Sequence, residues 1–231
     1  MATSTPLTYP PKPIPLDLRR DLPDPHVPWG ISKQIFSQMQ AQTGPGHKFK
    51  KVEVLPTDPE WRFVWRYFHH DKPTQYDLGR VYCIHERHQQ QTFELNLSSQ
   101  EREAEKFPST WTSEARASQR AGAIDRWKEA AGVFSPFSTI EQDGRRRTWK
   151  ATKVMPLWHG SSEEVCASVA ESGFVYFGKK AISKTAADPS STDVGFFGSG
   201  IYFTNSARYS ADIYSKGHLL LAWVSMREPF P

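Results

Sequence analysis

Leu157-Trp158-His159-Gly160-Ser161 and Gly198-Ser199-Gly200-Ile201-Tyr202-Phe203 are the two stretches on which the reading of this chain turns. In the first, the apolar run from Lys153 to Trp158 reads as a strand that delivers His159 to its end. Ser161-Ser162-Glu163-Glu164 then supplies a cap and first-turn carboxylates for a helix, Val165 and Val169 form its buried face, and Gly173 stops it. In the second, a glycine-dense segment precedes a short strand, Ile201-Tyr202-Phe203, and Asn205 caps a helix holding Tyr209, Ser210 and Tyr214. Glycine at such a place lets a backbone approach a ligand closely. Neither GxGxxG nor GxxxxGK[ST] fits the segment, which excludes the Rossmann and phosphate-loop modes of nucleotide binding.

Around these stretches the chain divides unevenly. Eight of its 18 prolines fall in the first 28 residues, including Tyr9-Pro10-Pro11-Lys12-Pro13, and fixed φ with missing amide donors forbids helix or central strand there. Residues 1–45 are expected to form a largely disordered arm with one short helix, on which Ile31, Ile35 and Met39 recur at helical spacing before Gly44-Pro45-Gly46. The arm is also a candidate ligand for a partner with an aromatic groove. Residues 46–231 are expected to form the folded domain. Within it, Asp58 and Pro59 start a helix whose core face is expected to be Trp61, Val64, Trp65 and Phe68. A strand-like run of Val81, Tyr82, Cys83 and Ile84 follows within Arg80 to His88, with Thr92-Phe93-Glu94-Leu95 extending or returning it. Two helices are expected between Ser98 and Ala131, broken at Phe107-Pro108, the second carrying Ile124 and Trp127. Val133 to Lys150 reads as a connection, with Arg145-Arg146-Arg147 a solvated turn.

Composition narrows the function. The 231 residues carry a net charge of +4, spread along the chain without a clustered basic face, so nucleic-acid binding is not supported. Cys83 and Cys166 are the two cysteines, too few and too far apart for a disulfide framework or a four-cysteine zinc site. Cys83, His85 and His88 are close in sequence, but strand alternation turns His88 away from the other two, and no metal is expected. With 38% apolar residues a core is available, while no stretch approaches the ~18 apolar residues of a membrane span, and no signal peptide is visible. The expected setting is intracellular, in nucleus or cytoplasm.

Taken in order, Leu157 to Ser161, Gly173-Phe174, Gly198 to Phe203, Tyr209-Ser210 with Tyr214, and the apolar run Leu219 to Val224 resemble the poly(ADP-ribose) polymerase family. These are the diphtheria-toxin-like ADP-ribosyltransferases with a His-Tyr-Glu signature, and the resemblance covers roughly residues 48–231, most distinctly the last third. It implies an α+β fold of split antiparallel β-sheets with flanking helices, here preceded by the proline-rich arm. The implied activity is transfer of ADP-ribose from NAD to a protein acceptor with release of nicotinamide, with NAD as substrate and no metal.

Residue by residue, the resemblance implies that His159 holds the nicotinamide ribose through its 2′-hydroxyl and that the Gly160 backbone clamps the carboxamide. Ser210 would donate to the same carboxamide, Tyr202 and Tyr214 would sandwich the ring, and Ser161 would lie toward the adenosine. The loop from Gly173 to Gly195 would close over NAD. His159 and Tyr202 are the catalytic candidates. Three departures stand out. Ser199 occupies a place where some members have lysine, and Tyr214 comes one place later than the second tyrosine of many members, a slot filled by Ile213. The third signature residue lies in the family beyond the Leu219 to Val224 strand, and Glu228 comes too early to be it. The expectation is therefore a C-terminally incomplete domain that transfers single ADP-ribose units. The alternative is a catalytically inactive relative acting as an NAD-binding or interaction module.

Overall fold

A computed structural model describes Leu18 and residues 31–42, 49–106, 125, 128–134, 139–142, 145–148, 152–174 and 201–226. The rest of the arm, Phe107-Pro108, Ile124, Trp127, residues 175–200 with Gly198 to Gly200, and Glu228 lie outside the described residues. The architecture is α+β, with three two-stranded antiparallel sheets and helices around them among the described residues.

Helix α1 (Lys33–Ala41) begins at Ser32, whose side chain accepts from the Ile35 amide, and it buries Ile35 and Met39. Those side chains, with Ile31, pack on Val52 and Val54 of strand β1 (Lys50–Val54), where alternation turns every second residue inward. β1 pairs with β2 (Val81–His85) in a register that sets Val52 opposite Cys83. Together these elements enclose a first, small core.

Helix α2 (Pro59–His70) separates that core from a second, larger one. Asp58 precedes it but makes no side-chain cap; its carboxylate accepts instead from the Leu55 amide at 2.7 Å. The expected face is rotated. Glu60, Phe63, Tyr67 and Phe68 are buried, while Trp65 is 41% exposed and stacks on Trp61 and His69. The physical reason is that α2 has two apolar neighbours: Trp61 leans toward the β1–β2 core, and Val64 packs on the larger one. A single-stripe reading merges the two.

Two further expectations are corrected. Thr92 to Leu95 lie in helix α3 (Arg87–Lys106), not in a strand. The Glu86 carboxylate accepts from the amides of His88 and Gln89 at its start, and Phe93 and Leu97 point inward one turn apart, while Leu95 is 70% exposed. Residues 128–133 are helical, and Val133 and Phe134 are fully buried. What was expected as a bare connection then contains a ladder, β3 (Thr139–Gln142) against β4 (Arg145–Thr148), so Arg145 to Arg147 lie on a strand and not in a turn. The register sets Glu141 opposite Arg146.

The larger core is organised on β5 (Lys153–Ser161), paired antiparallel with β6 (His218–Met226) over nine positions. Val154 to Trp158 are buried without interruption, as expected of a strand covered on both faces. β5 continues through His159, Gly160 and Ser161, so the histidine is held within the ladder and not at its end. Tyr67 donates its hydroxyl to the Pro156 carbonyl at 3.1 Å, joining α2 to β5. Phe63, Tyr67, Phe134 and Trp158 form a connected set of ring contacts, and Leu18, 1% exposed, belongs to the same cluster.

Helix α4 (Glu163–Ser172) follows, with Ser162 as its cap and Gly173 (φ 78°) ending it. Its buried residue is Ala170; Val165 is 39% exposed and Val169 half-buried, contrary to the expected face. The carbonyl of Ala170 accepts from the Gln89 side chain, which turns that side of the helix toward α3. Finally, residues 201–203 run without strand pairing until Thr204 bridges Trp158. Ser206, not Asn205, caps the short helix α5 (Ala207–Tyr209), which passes directly into a π-turn, Ser210–Tyr214.

Burial has a titration consequence. It lifts the Cys83 thiol from an ordinary 9.0 to about 12, with the Glu60 and Asp58 carboxylates adding in the same sense, and lifts Cys166 to about 11. A folded-state pKa above the unfolded one means that the contribution is whole below pH 9 and is lost as pH rises toward 12. Thermal unfolding midpoints should therefore fall as the pH rises above 9, and Cys83→Ala should flatten that decline. In the folded protein at pH 8, iodoacetamide should label Cys83 far more slowly than in denaturant.

Candidate active site

The end of β5 brings the candidate residues together. Trp158 exchanges backbone hydrogen bonds with Thr204 at 2.7 and 3.1 Å, which lays residues 202–204 along β5. His159 Nδ1 then lies 3.0 Å from the Tyr202 carbonyl oxygen. A carbonyl only accepts, so Nδ1 carries the proton, and Nε2 of the neutral ring is left with its lone pair as an acceptor.

The imidazole is framed by two aromatic rings. Phe174 meets it edge-on at 5.3 Å and Phe203 at a tilt at 5.6 Å, and these two rings touch each other at 4.9 Å. Phe174 follows the Gly173 stop of α4, so the positive φ of that glycine aims the ring back toward β5. Neither phenylalanine was assigned a role from sequence; an aromatic directly after a helix-ending glycine was the available signal.

Gly160 has a different job from the one expected of a ligand-facing glycine alone. A Cβ built on it would lie 2.2 Å from the Ser210 carbonyl oxygen and 2.9 Å from the Ser215 nitrogen. Those two atoms are joined by the i to i+5 hydrogen bond of the π-turn, at 3.1 Å. The turn therefore sits directly on the bare backbone of β5. Close backbone approach is what glycine permits, and π-turns are an uncommon geometry associated with functional sites.

Ser210 starts the turn and is buried, at 1% exposure. Tyr214 ends it at 37% exposure, edge-on to Tyr209 at 5.7 Å, and Ile213 is 47% exposed. Ser161, half-buried at the end of β5, accepts from the Lys216 amide at 3.0 Å through its carbonyl. His159, Gly160, Tyr202 and Ser210 are thus linked by direct contacts, while Tyr214 closes the turn and Ser161 is bonded just beyond it at Lys216. Among the described residues, no group of three His, Cys, Asp or Glu side chains stands close enough to hold a metal ion, and no helix is long and apolar enough to cross a membrane.

The steric seat of the turn is testable. Gly160→Ala should cost about 1–3 kcal/mol of folding stability, read by denaturant unfolding, because the added methyl meets backbone that must move. Gly79→Ala is the control, since a Cβ there meets nothing within 4 Å.

No curated protein sequence matches the chain. The family model of the poly(ADP-ribose) polymerase catalytic domain matches residues 60–228, from the first turn of α2 past the end of β6. With most of its length matched, and with the histidine strand, the glycine seat and the serine turn all inside the match, the chain belongs to the poly(ADP-ribose) polymerase catalytic-domain family of NAD-dependent ADP-ribosyltransferases.

Proposed function

We propose that this chain transfers ADP-ribose from NAD to a protein acceptor, one unit per acceptor site, and releases nicotinamide. The observation that carries the reading is the 3.0 Å approach of His159 Nδ1 to the Tyr202 carbonyl: with Nδ1–H donated there, Nε2 is available to accept from the 2′-hydroxyl of the nicotinamide ribose. In this reading the Gly160 backbone and the Ser210 hydroxyl grip the carboxamide, Tyr202 and Tyr214 flank the ring, and Ser161 lies toward the adenosine.

The chemistry asks for positioning more than for a strong nucleophile. The bond between nicotinamide and C1′ of the ribose breaks, nicotinamide leaves with the electron pair, and the acceptor nucleophile bonds to C1′ and gives up its proton. The transition state resembles an oxocarbenium ion, as in glycoside hydrolysis. A leaving group held at several points and a ribose fixed by an oriented imidazole supply alignment.

Single-unit transfer follows the departure at Glu228, which comes too early in the chain to be the family's third signature residue. Chain elongation in the family uses a glutamate. The same observation favours a second reading, an NAD-binding module without transfer.

Incubation of the full chain with tagged NAD tests both. Wild type should label itself or an added acceptor, and His159→Ala should lower labelling about a hundredfold or more; equal labelling by the variant would sink the assignment. A thermal upshift with NAD in the absence of labelling selects the binding module instead.

A further inference from the structure

The π-turn poses a problem of its own. It is short and closes with the i to i+5 bond from the Ser215 amide to the Ser210 carbonyl, its outer residues Ile213 and Tyr214 are exposed, and Ser210 and Ala211 are its buried residues. Such a turn has little local preference, so its shape depends on what holds it from outside. Gly160 supports it from beneath.

A second hold on the turn comes through Asp212. Its two carboxylate oxygens accept from the Thr74 amide at 3.2 and 3.1 Å, and the Thr74 hydroxyl donates to one of them at 2.6 Å. Arg208, one helical turn earlier, places Nε 3.8 Å from the same carboxylate. The hydrogen bonds from Thr74 and Gln75, together with the Arg208 charge, outweigh partial burial and hold the Asp212 pKa below the usual value. Thr74 belongs to the segment just after α2, far away in sequence. A parallel tie stands one turn earlier: Asp71 binds the Ser206 hydroxyl, and its carbonyl accepts from the Arg208 amide at 2.9 Å. Ser206 in turn accepts from the Tyr209 amide at 3.0 Å, so Asp71 fixes the start of α5 and Asp212 fixes its continuation.

We propose that Asp212 is a positioning residue of the donor site: clasped by Thr74, it presses the π-turn onto Gly160 and so sets where Ser210 and Tyr214 stand. It touches no substrate in this assignment. The proposal rests on the donor-site reading given above, and it converts the segment after α2, which carries no donor-site residue, into part of the machinery that shapes the site.

The test uses the full chain with Asp212→Ala, Thr74→Val and Thr74→Ser, with two readouts: amide hydrogen exchange at Ser215, the donor of the π bond, and thermal-shift titration with free nicotinamide. Asp212→Ala should speed Ser215 exchange and weaken nicotinamide binding by about tenfold each, the loss expected for one charge-assisted hydrogen-bond cluster, while exchange within β5 and β6 stays unchanged. Thr74→Val should move both in the same direction, and Thr74→Ser, which keeps the hydroxyl, should restore both. Unchanged Ser215 exchange in Asp212→Ala overturns the proposal, and so does a uniform acceleration that includes β5 and β6, the mark of a merely global stability effect. Failure of wild type to bind nicotinamide defeats the donor-site reading instead, and Ser215 exchange still decides whether the clasp holds the turn.

Discussion

The missing side chain at Gly160 is the constraint from which the rest of the site follows. A strand buried along Val154 to Trp158 ordinarily presents side chains to whatever packs on it. At Gly160 the backbone itself is presented, and the Ser210 carbonyl comes to within 2.2 Å of where a Cβ would be. Because the turn rests there, Ser210 is buried beside β5, and the residues ahead of it, 202 to 204, are drawn alongside Trp158 and His159. One vacancy in the side-chain pattern thus allows a helical turn, an irregular segment and a strand to converge on a single imidazole.

The larger core makes that convergence rigid. Trp158 precedes His159 and meets the rings of Tyr67 and Phe68, and Tyr67 in turn holds the Pro156 carbonyl. Burying aromatic rings of this size contributes several kcal/mol in proteins generally, and their mutual geometry is directional. The strand that carries the imidazole therefore has little freedom to slide relative to α2. The ties from Asp71 and Thr74 at the end of α2 reach the other half of the site. One helix consequently braces both the histidine strand and the serine turn.

Much of this was legible in the sequence, and the exceptions have causes. The order of strand, His-Gly-Ser, helix and Gly-Phe could be read because caps and stops are local: Ser162 and Gly173 act within a turn of their own positions. The apolar run at Leu219 to Val224 was likewise self-evident as a strand. Facing was harder. Periodicity marks apolar positions on α2, but Phe63 and Tyr67 win the interior over Trp65 because two separate cores flank the helix, and that is tertiary information. Thr92 to Leu95 look strand-like in isolation, and the Glu86 cap with the Phe93 and Leu97 pair decides for helix. At the site, His159, Gly160, Tyr202 and Ser210 could be picked out from their local motifs, whereas the framing rings Phe174 and Phe203, the π-turn and the Asp212 clasp could not. A contact between Thr74 and Asp212 has no signature in either local segment.

Leu18 carries a consequence for how the molecule is built in time. Its side chain lies in the same cluster as Met155, Leu157 and Trp158, yet it leaves the ribosome long before them. During synthesis that leucine has no finished interior to enter until β5 has emerged, so closing the core is an event of high contact order. Leu18 therefore settles only once β5 is there to receive it.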